Sequence, residues 1–210
     1  MALHTENARL ETFSDGVFAI ALTLLVLEIK VPNHEEVLQA GGLWYALAGH
    51  WPLYCAFILS FGTVLISWNG HNTLFNLVDK SSVALNYANG LVLLSVVILP
   101  FITALMGDYL LTGQNFAAVA MLCFTLLFQN VAWAILAAVV LHQNLISNTN
   151  KREAMKKLFV KANPYVFVMY LTCSILSFWF PLIIAVVVTL VWVLVIVIGV
   201  TAHNEFKNID

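Results

Sequence analysis

Apolar residues in this chain fall in long runs broken by short polar stretches, at 13–31, 43–68, 83–106, 116–141 and 165–202. A helix that crosses a bilayer needs roughly 20 apolar residues, whereas strands are far shorter. The first run ends at Pro32 and carries Asp15 and Glu28 near its two ends. The second opens after Gly41-Gly42, and the third contains Pro100. As one helix the last run would exceed about 50 Å, against a hydrocarbon core of about 30 Å, so it must fold back. Pro181 is the breaker inside it, next to Trp179, a residue type that favours the membrane interface. The pattern therefore predicts an all-α membrane protein with six transmembrane helices, the last two at 165–180 and 182–202.

Composition agrees. The chain has 210 residues, 61% of them hydrophobic and 10% charged, against about 25% charged in a typical soluble domain. The length fits a single domain, 1–210. A net charge of -2 gives no basic footprint for nucleic acid. The polar N-terminus and the length of the first run argue against a cleavable signal peptide. Cys55, Cys123 and Cys173 lie inside apolar runs without CxxC spacing, so neither a disulfide nor a metal site is expected.

Charge orients the helices. With the N-terminus inside and six crossings, the inner segments hold Arg9, Lys80, Lys151, Arg152, Lys156, Lys157, Lys161 and Lys207, and the outer ones hold Lys30 alone. This is the positive-inside bias, and it predicts that both termini are cytoplasmic. A missed helix would put the 151–161 cluster on the wrong side. That cluster reads as a short cytoplasmic helix, a topology signal in contact with lipid headgroups. Glu28, Glu35, Glu36 and Asp108 leave the outer loops acidic.

The first helix departs from a plain lipid-facing span. At about 100° per residue, Arg9, Phe13, Gly16, Ile20, Thr23 with Leu24, and Leu27 form one stripe, and Asp15 lies about 140° round from Ile20. An ionisable group at membrane depth is costly and points to a functional or partnered site. The plainer alternatives are a helix-start charge favoured by the macrodipole, with Thr12 or Ser14 as caps. At the same depth the second helix ends with Trp68, Asn69, His71 and Asn72, and the third begins with Asn86, Tyr87 and Asn89. These residues are candidate hydrogen-bond partners for a polar anchor on the first helix; the plainer alternative is ordinary polar residues at the headgroup boundary.

The run Arg9-x-x-x-Phe13-Ser14-Asp15 resembles the signature of the endosomal and lysosomal potassium channels called transmembrane protein 175, and Trp68-Asn-Gly-His71-Asn72-Thr-Leu-Phe75 resembles that family's second-helix end. The resemblance implies that the first helix lines a central pore, and that a chain with one six-helix repeat forms a homotetramer. It implies an apolar constriction at Ile20 and Leu27, with Thr23 or Leu24 between. It implies that Arg9, Phe13, Ser14 and Asp15 form a structural network, with Trp68, His71, Asn72 and Asn89 as its partners. The permeants would be potassium and other monovalent cations, with no cofactor, in a prokaryotic plasma membrane. The chain lacks the Thr-Val-Gly-Tyr-Gly loop of carbonyl filters.

The reading is a potassium-preferring cation channel. The alternative is a proton-coupled or small-solute transporter using Asp15, Glu28, His50 and His71, although such relays usually lie near the midplane rather than at the helix ends. An enzyme is not expected: adjacent Ser14 and Asp15 diverge by about 100° on a helix, and no nucleophile elbow surrounds them.

Overall fold

The structure, a computed structural model, describes residues 3–161 and 163–206, with side chains described for 7–157, 160–161 and 163–193. Lys207, assigned above to the inner side, lies outside the described residues, as do the side chains of 194–202 in the sixth expected span. The described residues are helical and contain no strand.

Helix α1 (Leu3–Leu25) ends in a 3-10 turn, Val26–Glu28. Two short helices follow, α2 (His34–Gln39) and α3 (Leu43–Gly49), then α4 (Trp51–Phe75), α5 (Val83–Val97), α6 (Leu99–Tyr109) and α7 (Asn115–His142). Beyond these come α8 (Thr149–Met155), a π-helical turn (Lys156–Val160), α9 (Asn163–Leu176) and α10 (Pro181–Phe206).

Four segments are long and apolar enough to cross a membrane: Asn7–Glu28, Trp51–Phe75, Val83–Tyr109 and Asn115–His142. The apolar helices Asn163–Leu176 and Pro181–Val193 are shorter than that limit among the described residues. The second span differs from the expected 43–68. Pro52 has no N–H to continue a preceding helix, so Leu43–Gly49 stands apart and the long helix starts at Trp51. Its polar end, Asn69 to Asn72, stays helical as far as Phe75. The third span is interrupted at Ile98, between α5 and α6, because Pro100 in the first turn of α6 has no N–H to continue the ladder from α5. The last run reverses at 177–180, and Pro181 opens α10, where a missing N–H costs nothing.

Packing comes in three apolar groups. One face of α1, with Phe18, Ala21 and Leu25, meets Val64 of α4 and Val96 and Leu99 of α5 and α6. Leu59, Ile102, Met106, Leu122, Cys173 and Ile184 form a second group. A third joins Leu74, Phe75, Leu85, Leu136 and the fully buried Met155. Glycine at position 62 lets α10 approach α4, since a Cβ there would collide with the Trp192 ring. Between α4 and α6, buried Thr103 Oγ1 donates to Ser60 Oγ at 2.7 Å.

The basic segment is a short helix, α8, with the π-helical turn after it, and it is tied to α7. Arg152 Nη2 donates to Leu141 O at 3.2 Å, Asn163 Nδ2 donates to Asn130 O at 3.3 Å, and the Phe116 and Phe178 rings lie 6.1 Å apart. Eleven residues separate Leu141 from Asn130, and eleven separate Arg152 from Asn163. The segment from α8 through α9 thus runs antiparallel to α7, and the basic residues lie at its start, in and next to α8 and the π-helical turn. The fifth apolar helix itself starts at Asn163, close to the expected residue 165.

Candidate functional site

Exposure divides α1 into two faces. Ser14, Phe18, Ala21 and Leu25 recur at helical spacing and are all but fully buried against α4, α5 and α6. Opposite them, Phe13 is 62% exposed, Ile20 60%, Leu24 41% and Leu27 71%, with Gly16 and Thr23 also exposed. Leu27 sits in the 3-10 turn after the α-helix ends, so its direction departs from the 100° spacing used above. Thr23 Oγ1 donates to Ile20 O at 2.8 Å. That bond occupies the hydroxyl proton and leaves the oxygen lone pairs free to accept from water or to face a cation.

The buried face carries a hydrogen-bonded chain whose donors can be assigned. Ser14 Oγ donates to Leu10 O at 2.8 Å, so it can only accept from Asn89 Nδ2 at 2.9 Å. Asn89 Oδ1 then accepts from His71 Nε2 at 2.9 Å, which assigns the ring proton to Nε2. The His71 ring stacks on Phe75, with centroids 4.2 Å apart, and meets Phe18 edge-on at 5.5 Å. Three helices are joined at one depth, and the linked side chains of Ser14, Asn89 and His71 are 0–2% exposed.

Asp15 lies beside this chain rather than at its centre. Its Oδ1 accepts from Trp68 Nε1 at 2.9 Å, with Asp15 exposed and Trp68 40% exposed. Asn72 is not in the network: it is exposed, and its Oδ1 accepts from Asn76 Nδ2 at 3.1 Å along its own helix. Arg9 and Phe13 line an open groove of about 630 Å³ with Leu10, Ser81, Ser82, Val83 and Asn86. Ser14 and Asp15 lie more than two turns into α1, so neither is a cap or a first-turn charge.

The sequence offered Ser14 both as a member of a structural network and as a cap, and its bond to Asn89 fits the first. Ser14 shares its face with Phe18, Ala21 and Leu25, opposite the exposed stripe. Asn7, which the sequence reading does not single out, is buried, and its Nδ2 donates to Val78 O at 3.4 Å.

Other chemistries find little support in this geometry. Asn89 stands between Ser14 and His71, so no base reaches the hydroxyl. Asp15 and His71 lie at one end of the bundle, whereas Glu28 and His50 lie at the other, so the relay residues are not gathered at mid-depth. Among the described residues, no group of three His, Cys, Asp or Glu side chains is placed to hold a metal ion.

Residues 9–100 match the family model described as endosomal/lysosomal potassium channel TMEM175. A potassium channel of Chamaesiphon minutus is 49% identical over 110 residues, 52% of this chain and 54% of that protein, so the match spans about half the relative's length. A potassium channel of a Chryseobacterium species is 33% identical over 178 residues, covering 83% of this chain and 84% of that one. The crystal structure of a lysosomal potassium-selective channel TMEM175 homolog from Chamaesiphon minutus superimposes with a TM-score of 0.80 at 33% identity, over 93% of this chain and 98% of the other.

Proposed function

This chain belongs to the TMEM175 family, and on that premise we propose that it is a potassium-preferring cation channel whose first helix forms an apolar constriction. The observation that carries the reading is the division of α1. One face is fixed to α4, α5 and α6, while among the described residues the opposite apolar stripe through Ile20, Leu24 and Leu27 is left exposed.

One subunit supplies one such helix, which cannot surround a path alone. Cyclic symmetry supplies the others, and we assign a homotetramer with α1 innermost. Arg9 and Phe13, in their open groove at the inner end of the same face, would then meet a neighbouring subunit. All six apolar helical segments cross the membrane in this arrangement.

Rings of Ile20 and Leu27 form a narrow neck that excludes water when closed. Such a neck cannot replace a hydration shell, so it favours potassium over sodium mainly because potassium loses its water at lower cost. The accepting lone pairs of Thr23 add a polar step between the rings. Acidic residues at the outer end, Glu28, Glu35, Glu36 and Asp108, concentrate cations at the mouth. Lys30 offsets part of that charge, through its 3.5 Å ion pair with Asp108.

The test is flux from liposomes holding purified protein. Potassium efflux that needs no proton gradient and exceeds sodium efflux is expected, from a particle of four chains in mild detergent. Flux that occurs only with a proton gradient points to the transporter reading, and a conducting monomer rejects the assembly. For orientation, a C-terminal reporter fusion is expected to signal from the cytoplasm. A signal from the opposite side would reject six crossings from a cytoplasmic N-terminus.

A further inference from the structure

The basic segment carries five cations, Lys151, Arg152, Lys156, Lys157 and Lys161, but they are not equivalent. Arg152 turns inward to the carbonyl of Leu141 at the end of α7. Lys156 Nζ pairs with Glu153 Oε1 at 2.7 Å, and the hydrogen bond from Lys156 is the main reason the Glu153 carboxyl is held below its usual range. Among the described residues, Lys151, Lys157 and Lys161 form no ion pair, although Lys161 is near enough to Glu153 to add to the field on its carboxyl, and all three are exposed.

Depth separates these three. Exposed aromatic residues mark two levels in the bundle. Trp51 and Trp68 on α4 are 17 residues apart, about 26 Å of helix rise and close to the thickness of a hydrocarbon core. Gly70, just past Trp68, faces Trp133 of α7. Asn130, one turn before Trp133, holds Asn163 at the start of α9, and Tyr165, just beyond, is 81% exposed. Lys161 therefore stands at the level of Trp68, the inner interface. Lys157 lies one turn further towards the aqueous side, and Lys151 is well clear of it.

Lys157 and Lys161 are four residues apart in or next to the π-helical turn, where Lys161 N donates to Lys156 O at 3.1 Å. Two like charges about one turn apart repel, which costs stability unless an anion lies between them. Met155, fully buried against the inner ends of α4, α5 and α7, pins the same segment and turns Lys157 towards the outside of the bundle.

We propose that Lys157 and Lys161 form a binding site for the phosphate of an anionic phospholipid headgroup at the inner interface. This site depends on the membrane placement of the helices and not on ion conduction, so it stands or falls separately from the channel reading. The bilayer is the source favoured by the depth of Lys161 and by the segment's packing along a membrane-spanning helix. Each lysine near an anionic surface contributes enough that losing both should weaken binding roughly 30-fold.

The experiment uses the full chain in neutral detergent, with added phosphatidylglycerol, phosphatidylcholine or inorganic phosphate. The readouts are the thermal unfolding midpoint and the phosphatidylglycerol retained, counted by native mass spectrometry. Phosphatidylglycerol should raise the midpoint of the natural protein more than the other two do, because a ligand that binds the folded state stabilises it by mass action. Lys157→Gln with Lys161→Gln should lose that rise and most of the retained lipid, while keeping its midpoint in phosphatidylcholine. Lys157→Arg with Lys161→Arg should keep both. The proposal is overturned by an equal rise in the glutamine variant, or by an equal rise with phosphatidylcholine. Inorganic phosphate reproducing the whole rise, or loss of the rise in the arginine variant, overturns it as well.

Discussion

Asn89→Leu is expected to be the most damaging single substitution at the site, cutting folded and assembled yield by more than any change at Asp15. It removes the acceptor for His71 Nε2 and the donor to Ser14 Oγ at once, and both partners are buried where no bulk water replaces them. An orphaned buried polar group costs about 1–3 kcal/mol. Hydrogen bonds between membrane helices average nearer 0.6 kcal/mol, because the alternative state also finds partners. Two bonds lost together, plus leucine branches pressed against the ring of His71, make a loss of roughly 2–4 kcal/mol the reasonable expectation. Asp15→Ala removes one bond to a tryptophan that is itself 40% exposed, so solvent and headgroups compensate and a smaller loss follows. Thermal unfolding in detergent and the tetrameric fraction on sizing decide between them. If Asp15→Ala proves the more damaging, the exposed pair holds α1 and the buried chain does not.

Ile20→Asn is expected to change conduction rather than folding. Ile20 lies seven residues beyond Phe13, about 10 Å of helix rise, inside the apolar zone and clear of the Ser14–Asn89–His71 chain. It is 60% exposed within the subunit, so the amide breaks no internal packing. An apolar neck resists ions because it is narrow and dry. An amide ring there would hold water, raise flux and lower the potassium-to-sodium ratio. In reconstituted liposomes, total flux should rise and sodium should gain most. A lipid-facing Ile20 behaves differently: a polar group facing hydrocarbon lowers insertion and yield without any gain in flux. An assembled variant with an unchanged ratio moves the constriction to Leu24 or Leu27.

What could be read from residues alone follows from the solvent. In a bilayer every lipid-facing position must be apolar and every backbone group must bond within its own helix, so the long runs announce helices one residue at a time. The same holds for α1, where the 3.6-residue period separates Phe13, Ile20 and Leu24 from Phe18, Ala21 and Leu25 before any neighbour is known. Which face is anchored is another matter. Asn89 becomes the hub, Ser14 and His71 its partners, and Asn72 a bystander because three helices meet at one depth with particular rotations.

The basic segment teaches the same lesson. Its five cations look alike in sequence, yet Arg152 and Lys156 are occupied by Leu141 O and Glu153, and the register along α7 sets the depth of Lys157 and Lys161. The separation of Leu43–Gly49 from α4 was written locally in Pro52, while the close approach of Trp192 to Gly62 required the packed bundle. Hydropathy, helical period and proline are properties of one strip of chain against its solvent, and sequence carries them. Hydrogen-bond partners and depth are relations between helices far apart along the chain, and only the tertiary structure decides them.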